Sequence, residues 1–494
     1  MPKFAVLRRE VLDYPGYRER PVPGSFTLPS TSPGCPVTFW DAAAALPTVI
    51  LVFLAVALLV AFAFEFINGF HDTANAVTTV IYTRSLSATP AVIYSGLLNF
   101  LGVLLGGTAV AFSIVSLLPV DLLIQGASGL ALVMVLSLLI AGVIWNLSTW
   151  YVGLPVSSSH TLIGAILGVG LANGLFAGEG AKGVNWVKVG EVLLALLVSP
   201  GIGFGLAGGL LLLLKRTVRE PRLYVPPVGD DRPPRWVRAV LILTCGGVSF
   251  AHGANDGQKG MGLILLVLIG FLPFHYALNV YHPELAGEVY RSAVAVRGVL
   301  ERDGEITPEL RRDLDAITAR LEGKSSFAEV PEGERWDVRQ AVYSFRKHAT
   351  EAKLSPAARA EIAPHLDAPG RAVEFVPLWV VVGVAVALGL GTTVGYKRIV
   401  VTVAEKIGKT HLTYAQGAAA EVVAAGTILG AVFLHMPVST THILSSGVAG
   451  TMAANGSGVQ AGTVGKIFVA WVLTLPASML IAGTLFAAGR QFVG

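Results

Sequence analysis

Two stretches decide how this chain folds: Asn68-Gly-Phe-His-Asp-Thr-Ala-Asn75 and His252-Gly-Ala-Asn-Asp-Gly-Gln-Lys259, both embedded in apolar sequence. Gly69 aligns with Gly253 and Asp72 with Asp256. A second echo follows in the same order: Pro155-Val-Ser-Ser-Ser-His160 answers to Pro437-Val-Ser-Thr-Thr-His442, and Asn173-Gly174 to Asn455-Gly456. Asp72 lies 85 positions before Ser157, and Asp256 lies 183 before Ser439. The excess of 98 is close to the length of the one long polar stretch, 274–374. The chain therefore reads as one unit repeated, with an insertion in the second copy.

The surroundings of these motifs name the solvent. Hydrophobic residues make up 53% of the 494 and charged ones 14%, with a mean hydropathy of +0.65. That is more apolar surface than a water-soluble fold of this length buries. Val192 to Leu214, Leu378 to Tyr396 and Phe468 to Ala488 approach or exceed the ~20 residues that span hydrocarbon. The 56 glycines suit close helix packing in a bilayer. Cys35 and Cys245 are too few for a disulfide framework or a metal site. Residues 1–47, rich in Pro and charge and without the pattern of a signal peptide, read as a disordered tail.

Apolar elements fall near 48–81, 91–118, 129–151, 156–175, 189–214, 237–273, 375–396, 412–435, 438–455 and 463–489. All read as helical, because strand alternation is missing. The expected division is a first membrane repeat (48–214), a basic cytoplasmic linker (215–236), the start of the second repeat (237–273), an inserted extramembrane helical domain (274–374) and the rest of the second repeat (375–494). In the insertion, Ala286 to Arg302 and Pro308 to Leu321 are amphipathic, with Thr307-Pro308 and Ser355-Pro356 as cap and first-turn pairs. Lys215, Arg216, Arg219, Arg222, Arg232, Arg235 and Arg238 in the linker, and Lys397, Arg398, Lys406 and Lys409 after Tyr396, place both loops in the cytoplasm. The pairs 129–151 with 156–175 and 412–435 with 438–455 read as re-entrant hairpins. With hairpins counted as non-crossing, the first copy crosses three times, an odd number, so the fold class expected is an all-α inverted-repeat transporter with two broken helices and two hairpins meeting near the midplane.

Asn68, His71, Asp72 and Asn75 stand at i, i+3, i+4 and i+7, as do His252, Asn255, Asp256 and Lys259. On a helix each set forms one polar stripe, with Gly69 and Gly253 as places for the helix to break. A carboxylate inside a span costs about 2.5–3.5 kcal/mol on insertion scales, so a functional reading is the default; a buried polar cluster locking helices together is the alternative. Ser157, Ser158, Ser159, His160 and Thr161, and Ser439, Thr440, Thr441 and His442, follow a proline suited to a helix start. Hydroxyls and unbonded N–H groups there suit a tetrahedral oxyanion; the alternative is back-bonding to the preceding turn. His160 and His442 read equally as ligands or braces. Glu65 and Glu421 are weaker candidates for proton handling, and Trp145, Trp150 and Trp471 read as packing or interface anchors. No P-loop, zinc spacing or Ser-His-Asp pattern points to an enzyme.

At these residues the chain resembles the Pit-type inorganic phosphate transporter family, in its bacterial low-affinity, proton-coupled branch. The shared runs are Gly253-Ala-Asn-Asp256, Phe250-Ala-His-Gly-Ala-Asn-Asp-Gly-Gln-Lys259 and Tyr82-Thr-Arg84. The resemblance covers about 48 to 490, apart from the insertion. It implies symport of phosphate with protons, carried as a neutral complex with a divalent cation such as Mg2+, and no permanently bound cofactor. It also implies an anion site at Ser157–Thr161 and Ser439–His442 and a coupling-ion site at Asp72, Asn75 and Asp256; Asn68, His71, Asn255 and Lys259 share the stripes. Lys259 and His71 depart from the sodium-type pattern. A multi-pass location in the inner (plasma) membrane is expected, with phosphate and lipid as partners and no nucleic acid; a homodimer is compatible with this. Alternatives are another oxyanion such as sulfate, sodium coupling, or a channel or receptor.

Overall fold

The computed structural model describes residues 39–44, 46–115, 117, 129–178, 180, 184, 186–227, 232–273, 275–303 and 306–492; all but the end of the expected tail lies outside them. The chain is an all-α, multi-spanning membrane protein with bent and interrupted helices. Among the described residues, eight helices are long and apolar enough to cross a membrane. The longer helices are α1 (Thr48–Tyr82), α2 (Ala88–Leu105), α3 (Gly129–Tyr151), α4 (Ser158–Phe176), α5 (Trp186–Thr217), α6 (Arg235–Phe271), α7 (Glu284–Asp303), α8 (Pro308–Leu321), α9 (Glu332–Glu351), α10 (Leu378–Thr392), α11 (Tyr414–Phe433), α12 (Thr440–Asn455) and α13 (Ala461–Arg490). Pro200 lies inside α5 and Pro476 inside α13. Each removes a main-chain hydrogen bond that an unbroken helix would have.

Two local expectations are corrected. The helix continues through Gly69 and through Gly253. A Cβ at Gly69 would strike Leu388 O, and one at Gly253 would strike Asn99 O, so both glycines serve close helix contact. The apolar element at 91–118 divides into α2 and a short helix, Ala109–Val115. Gly107 turns between them with φ +82°, and Val110 N donates to Gln258 Oε1 at 2.8 Å, satisfying a donor that a helix start leaves open.

The chain divides into two units, 1–54 with 268–376 and 55–267 with 377–494. In the larger unit helices pack on partners distant in the chain. Helices α3 and α4 pack on α13, whereas α11 and α12 pack on α5, and α2 packs on α10. Glycines sit at close helix contacts. A Cβ at Gly168 would meet Met479 O, and one at Gly450 would meet Phe204 O; Gly102 faces Phe250 O and Gly391 faces Phe66 O. Without side chains at these points, backbones approach closely and dispersion replaces the absent hydrophobic drive.

In the smaller unit, α8 buries Leu310, Leu314, Ile317 and Leu321 on one stripe. Thr307 Oγ1 accepts Leu310 N at 3.2 Å and Ser355 Oγ accepts Ala358 N at 3.2 Å, the caps the sequence pairs announce. Arg339 donates from Nη1 to Ala277 O and to Val373 O, each at 2.8 Å. Burial pulls its guanidinium down to about 10, opposed by Glu374.

Candidate functional site

The helix starts at the two tips are nearly superimposable in conformation. Ser157 is extended (φ −92°, ψ 114°) and its Oγ accepts His160 N; Ser439 is extended (φ −95°, ψ 109°) and its Oγ accepts His442 N. Serine thus caps each helix, at 3.2 and 3.1 Å, and the prolines two residues earlier lie outside the helices they were expected to open. Capping places residues 158–159 and 440–441 in the first helical turn, where N–H groups lack carbonyl partners. Ser159 Oγ donates to Val438 O at 3.2 Å, so the two tips touch.

Asp72 sits where both tips converge. Thr441 Oγ1 donates to its Oδ1 at 2.6 Å and Thr440 Oγ1 to its Oδ2 at 3.2 Å. Ser158 Oγ donates to Asn68 Oδ1 at 2.7 Å and lies 3.4 Å from Asp72 Oδ2; His71 Nδ1 lies 3.3 Å from Oδ1. In the other copy, Lys259 Nζ donates to Asp256 Oδ1 at 2.6 Å, Ser159 Oγ at 2.6 Å and Val438 O at 2.7 Å. All three ammonium donors therefore have acceptors. His252 joins the halves: its Nε2 lies 3.6 Å from Asp72 and 3.4 Å from Asp256, and its Nδ1 is 2.6 Å from Asn99 Oδ1. The three groups Asp72, His252 and Asp256 could hold a cation, with one ligand atom from each within 4.8 Å of the others.

The remaining candidates have distinct places. Asn255 Nδ2 reaches Met436 O at 3.4 Å; the Asn75 side chain lies outside those described. Thr161 Oγ1 bonds back to Ser157 O at 3.1 Å. The rings of His160 and His442 lie tilted with centroids 4.7 Å apart, and Trp471 stacks on His442 at 4.0 Å. Trp471 Nε1 also donates to Pro155 O at 2.9 Å, Trp150 Nε1 to Gly395 O at 2.8 Å and Trp145 Nε1 to Thr474 Oγ1 at 3.1 Å. Glu421 Oε2 accepts Thr244 Oγ1 at 2.5 Å, and a Cβ on Gly260 would run into the Glu65 carboxyl. Sequence reading placed His252 on its stripe but gave it no role. Its position at i−4 from Asp256 was the available signal; its approach to Asp72 depends on tertiary packing.

Buried ionisable side chains of α1 and α6, met by the serine-capped starts of α4 and α12, define a multi-pass membrane protein with a titratable cluster inside the helical bundle. The chain belongs to the phosphate transporter family, whose model matches residues 68–482. It is 41% identical over 495 residues to the low-affinity inorganic phosphate transporter PitA of Escherichia coli strain K12, spanning 91% of this chain and 98% of that one. A probable low-affinity inorganic phosphate transporter of Bacillus subtilis strain 168 is 30% identical over 439 residues, spanning 89% and 97%. A solved structure of a sodium-dependent phosphate transporter shares the fold, with TM-score 0.53 and 21% identity over 89% of this chain and 99% of that one.

Proposed function

We propose that the protein is a secondary symporter of inorganic phosphate and protons in the plasma membrane, with a divalent cation co-transported as part of the cargo. The observation that carries this reading is the donation of Thr440 and Thr441 hydroxyls to Asp72, with Ser158 alongside. The groups best placed to bind an oxyanion hold a carboxylate. Of the two carboxylates, Asp256 is paired with the ammonium of Lys259, whereas Asp72 is held by hydroxyls and imidazoles without a Lys or Arg partner among the described ion pairs. Adding an anion about 4 Å from a carboxylate costs about 4 kcal/mol at an effective dielectric of 20. Entry of phosphate together with protons or a metal cation removes that penalty, and this is a physical basis for obligatory symport.

The same reading makes the copies inverted repeats, with α3–α4 and α11–α12 as re-entrant hairpins entering from opposite faces. The exchanged packing on α13 and α5 supports it, since a two-fold axis in the membrane plane relates each contact to its counterpart. Residues 274–374 form the extramembrane insertion. Uptake of labelled phosphate into proteoliposomes under an imposed proton gradient, with sulfate as competitor, tests the function. Unsaturable flux, or equal inhibition by sulfate at equal concentration, would overturn it.

Two further outcomes follow from this arrangement. Ser158→Ala and Thr440→Ala are each expected to weaken phosphate binding by about 1.5–3 kcal/mol, the worth of a hydrogen bond to a charged group. Calorimetry on the purified variants reads this directly, and unchanged affinity in both would move the anion away from the tips. Excision of about Glu284 to Ala368, replaced by a flexible linker, is expected to leave measurable uptake, because the first copy has no equivalent segment. Complete loss in a correctly inserted variant would make the insertion part of the transport machinery.

A further inference from the structure

The run Tyr82-Thr83-Arg84, at the end of α1, takes no part in the central site. Its Tyr82 and Arg84 line a separate cavity of about 520 Å³. One wall is this run from the first copy; the facing wall brings Tyr396, Lys397 and His411 from the second. Apolar Ile81, Ala88, Pro227, Val400 and Val401 complete the lining. Arg84 and Lys397 thus share a single space whose surface is mostly apolar.

The walls are braced from outside. Tyr82 Oη donates to Glu405 Oε1 at 2.5 Å. Arg238 Nε donates to Ser85 O at 2.7 Å, fixing the loop that carries Arg84. Arg84 itself holds φ +57°, ending α1 with its N–H on Ile81 O at 3.0 Å and Leu86 N on Val80 O at 3.0 Å. A glycine fits this left-handed position without the steric cost that a side chain carries there. The chain instead presents a guanidinium, a planar donor set matched to phosphate oxygens. Lys397 and the linker residue Pro227 both belong to loops rich in Lys and Arg, the side of the membrane that faces anionic headgroups.

We propose that this cavity is a second anion site, taking a phosphate group between Arg84 and Lys397. The anionic phospholipid headgroup satisfies both halves of the lining, with its phosphodiester on the cations and its acyl start on Ile81 and Val400. Free inorganic phosphate offers the same anion chemistry without the apolar half. None of the lining residues belongs to the central site, so the proposal stands or falls apart from the transport reading.

The test uses the full-length chain purified in detergent and reads two probes: retention of phosphatidylglycerol against phosphatidylcholine by native mass spectrometry, and equilibrium binding of labelled inorganic phosphate. The variant is Arg84→Gly with Lys397→Gln; glycine suits the φ at 84 and Lys397 is exposed, so the fold is preserved. Lys397→Gln alone is the second variant, and monodispersity of both is the folding control. Wild type is expected to retain phosphatidylglycerol preferentially, and the double variant to lose affinity by about tenfold or more, with the single variant between them. A second phosphate-binding event that disappears in the double variant, with no lipid preference in either protein, would assign the site to free phosphate. Unchanged binding of both probes in the double variant would overturn the proposal.

Discussion

Asp72→Asn is expected to reduce phosphate uptake to background while the protein still inserts and purifies as a single species. The side chain keeps its shape and loses its charge. In the wild type its two oxygens accept Thr441 at 2.6 Å and Thr440 at 3.2 Å, with His71 at 3.3 Å and Ser158 at 3.4 Å beside them. Each such bond to an ionised group is worth about 1.5–3 kcal/mol, and an amide can accept at only one of its two positions. The tips would lose their common anchor, and the carboxylate that compels co-entry of positive charge would be gone. Asp256→Asn is expected to give the same loss by another route. It would strand the ammonium of Lys259, now 2.6 Å from a carboxylate, and removing one partner of a buried pair costs about 3–5 kcal/mol. Uptake in proteoliposomes, with insertion checked by gel filtration, reads both. Near-normal transport in either variant would make that carboxylate structural.

How much of this centre was legible in the sequence depends on how local each feature is. The polar stripes are local: Asn68, Asp72, Asp256 and Lys259 repeat at helical spacing inside apolar runs, and α1 and α6 place them as that spacing requires. The tips are local too, because a serine before a helix caps it with its own side chain, as Ser157 and Ser439 do. Glycine was ambiguous for a physical reason. The missing Cβ that lets a helix break also lets two helices touch, and only the neighbour decides between them; at Gly69 and Gly253 the neighbours are Leu388 and Asn99. Pairings across the bundle were not legible at all. Nothing near His252 in the chain announces its approach to Asp72, and nothing near Glu421 announces Thr244. Such contacts arise from packing between helices far apart in the chain, which a repeat in sequence suggests without specifying.

Uptake is expected to follow an inward proton gradient with sodium absent, and to be indifferent to a sodium gradient at equal pH. The argument rests on where Lys259 Nζ lies. It stands 2.6 Å from Asp256 Oδ1 and holds Ser159 Oγ and Val438 O at 2.6 and 2.7 Å, so its positive charge joins the carboxylate of α6 to both tips. A sodium ion bound at Asp256 would have to share that carboxylate with the ammonium, and two cations about 4 Å apart repel by about 4 kcal/mol at an effective dielectric of 20. A proton need not displace the ammonium. With all three of its donors satisfied, Lys259 acts here as a fixed cation, and the imidazoles of His71 and His252 both stand against Asp72. Removing the fixed charge should relax the exclusion, so Lys259→Asn is expected to lose most proton-driven uptake, by tenfold or more from the stranded Asp256, and to gain any sodium response the site can support. Proteoliposomes with independently set pH and sodium gradients separate these outcomes. Sodium-driven uptake in the wild type, with no response to the proton gradient, would overturn proton coupling and leave Lys259 as a counter-ion alone.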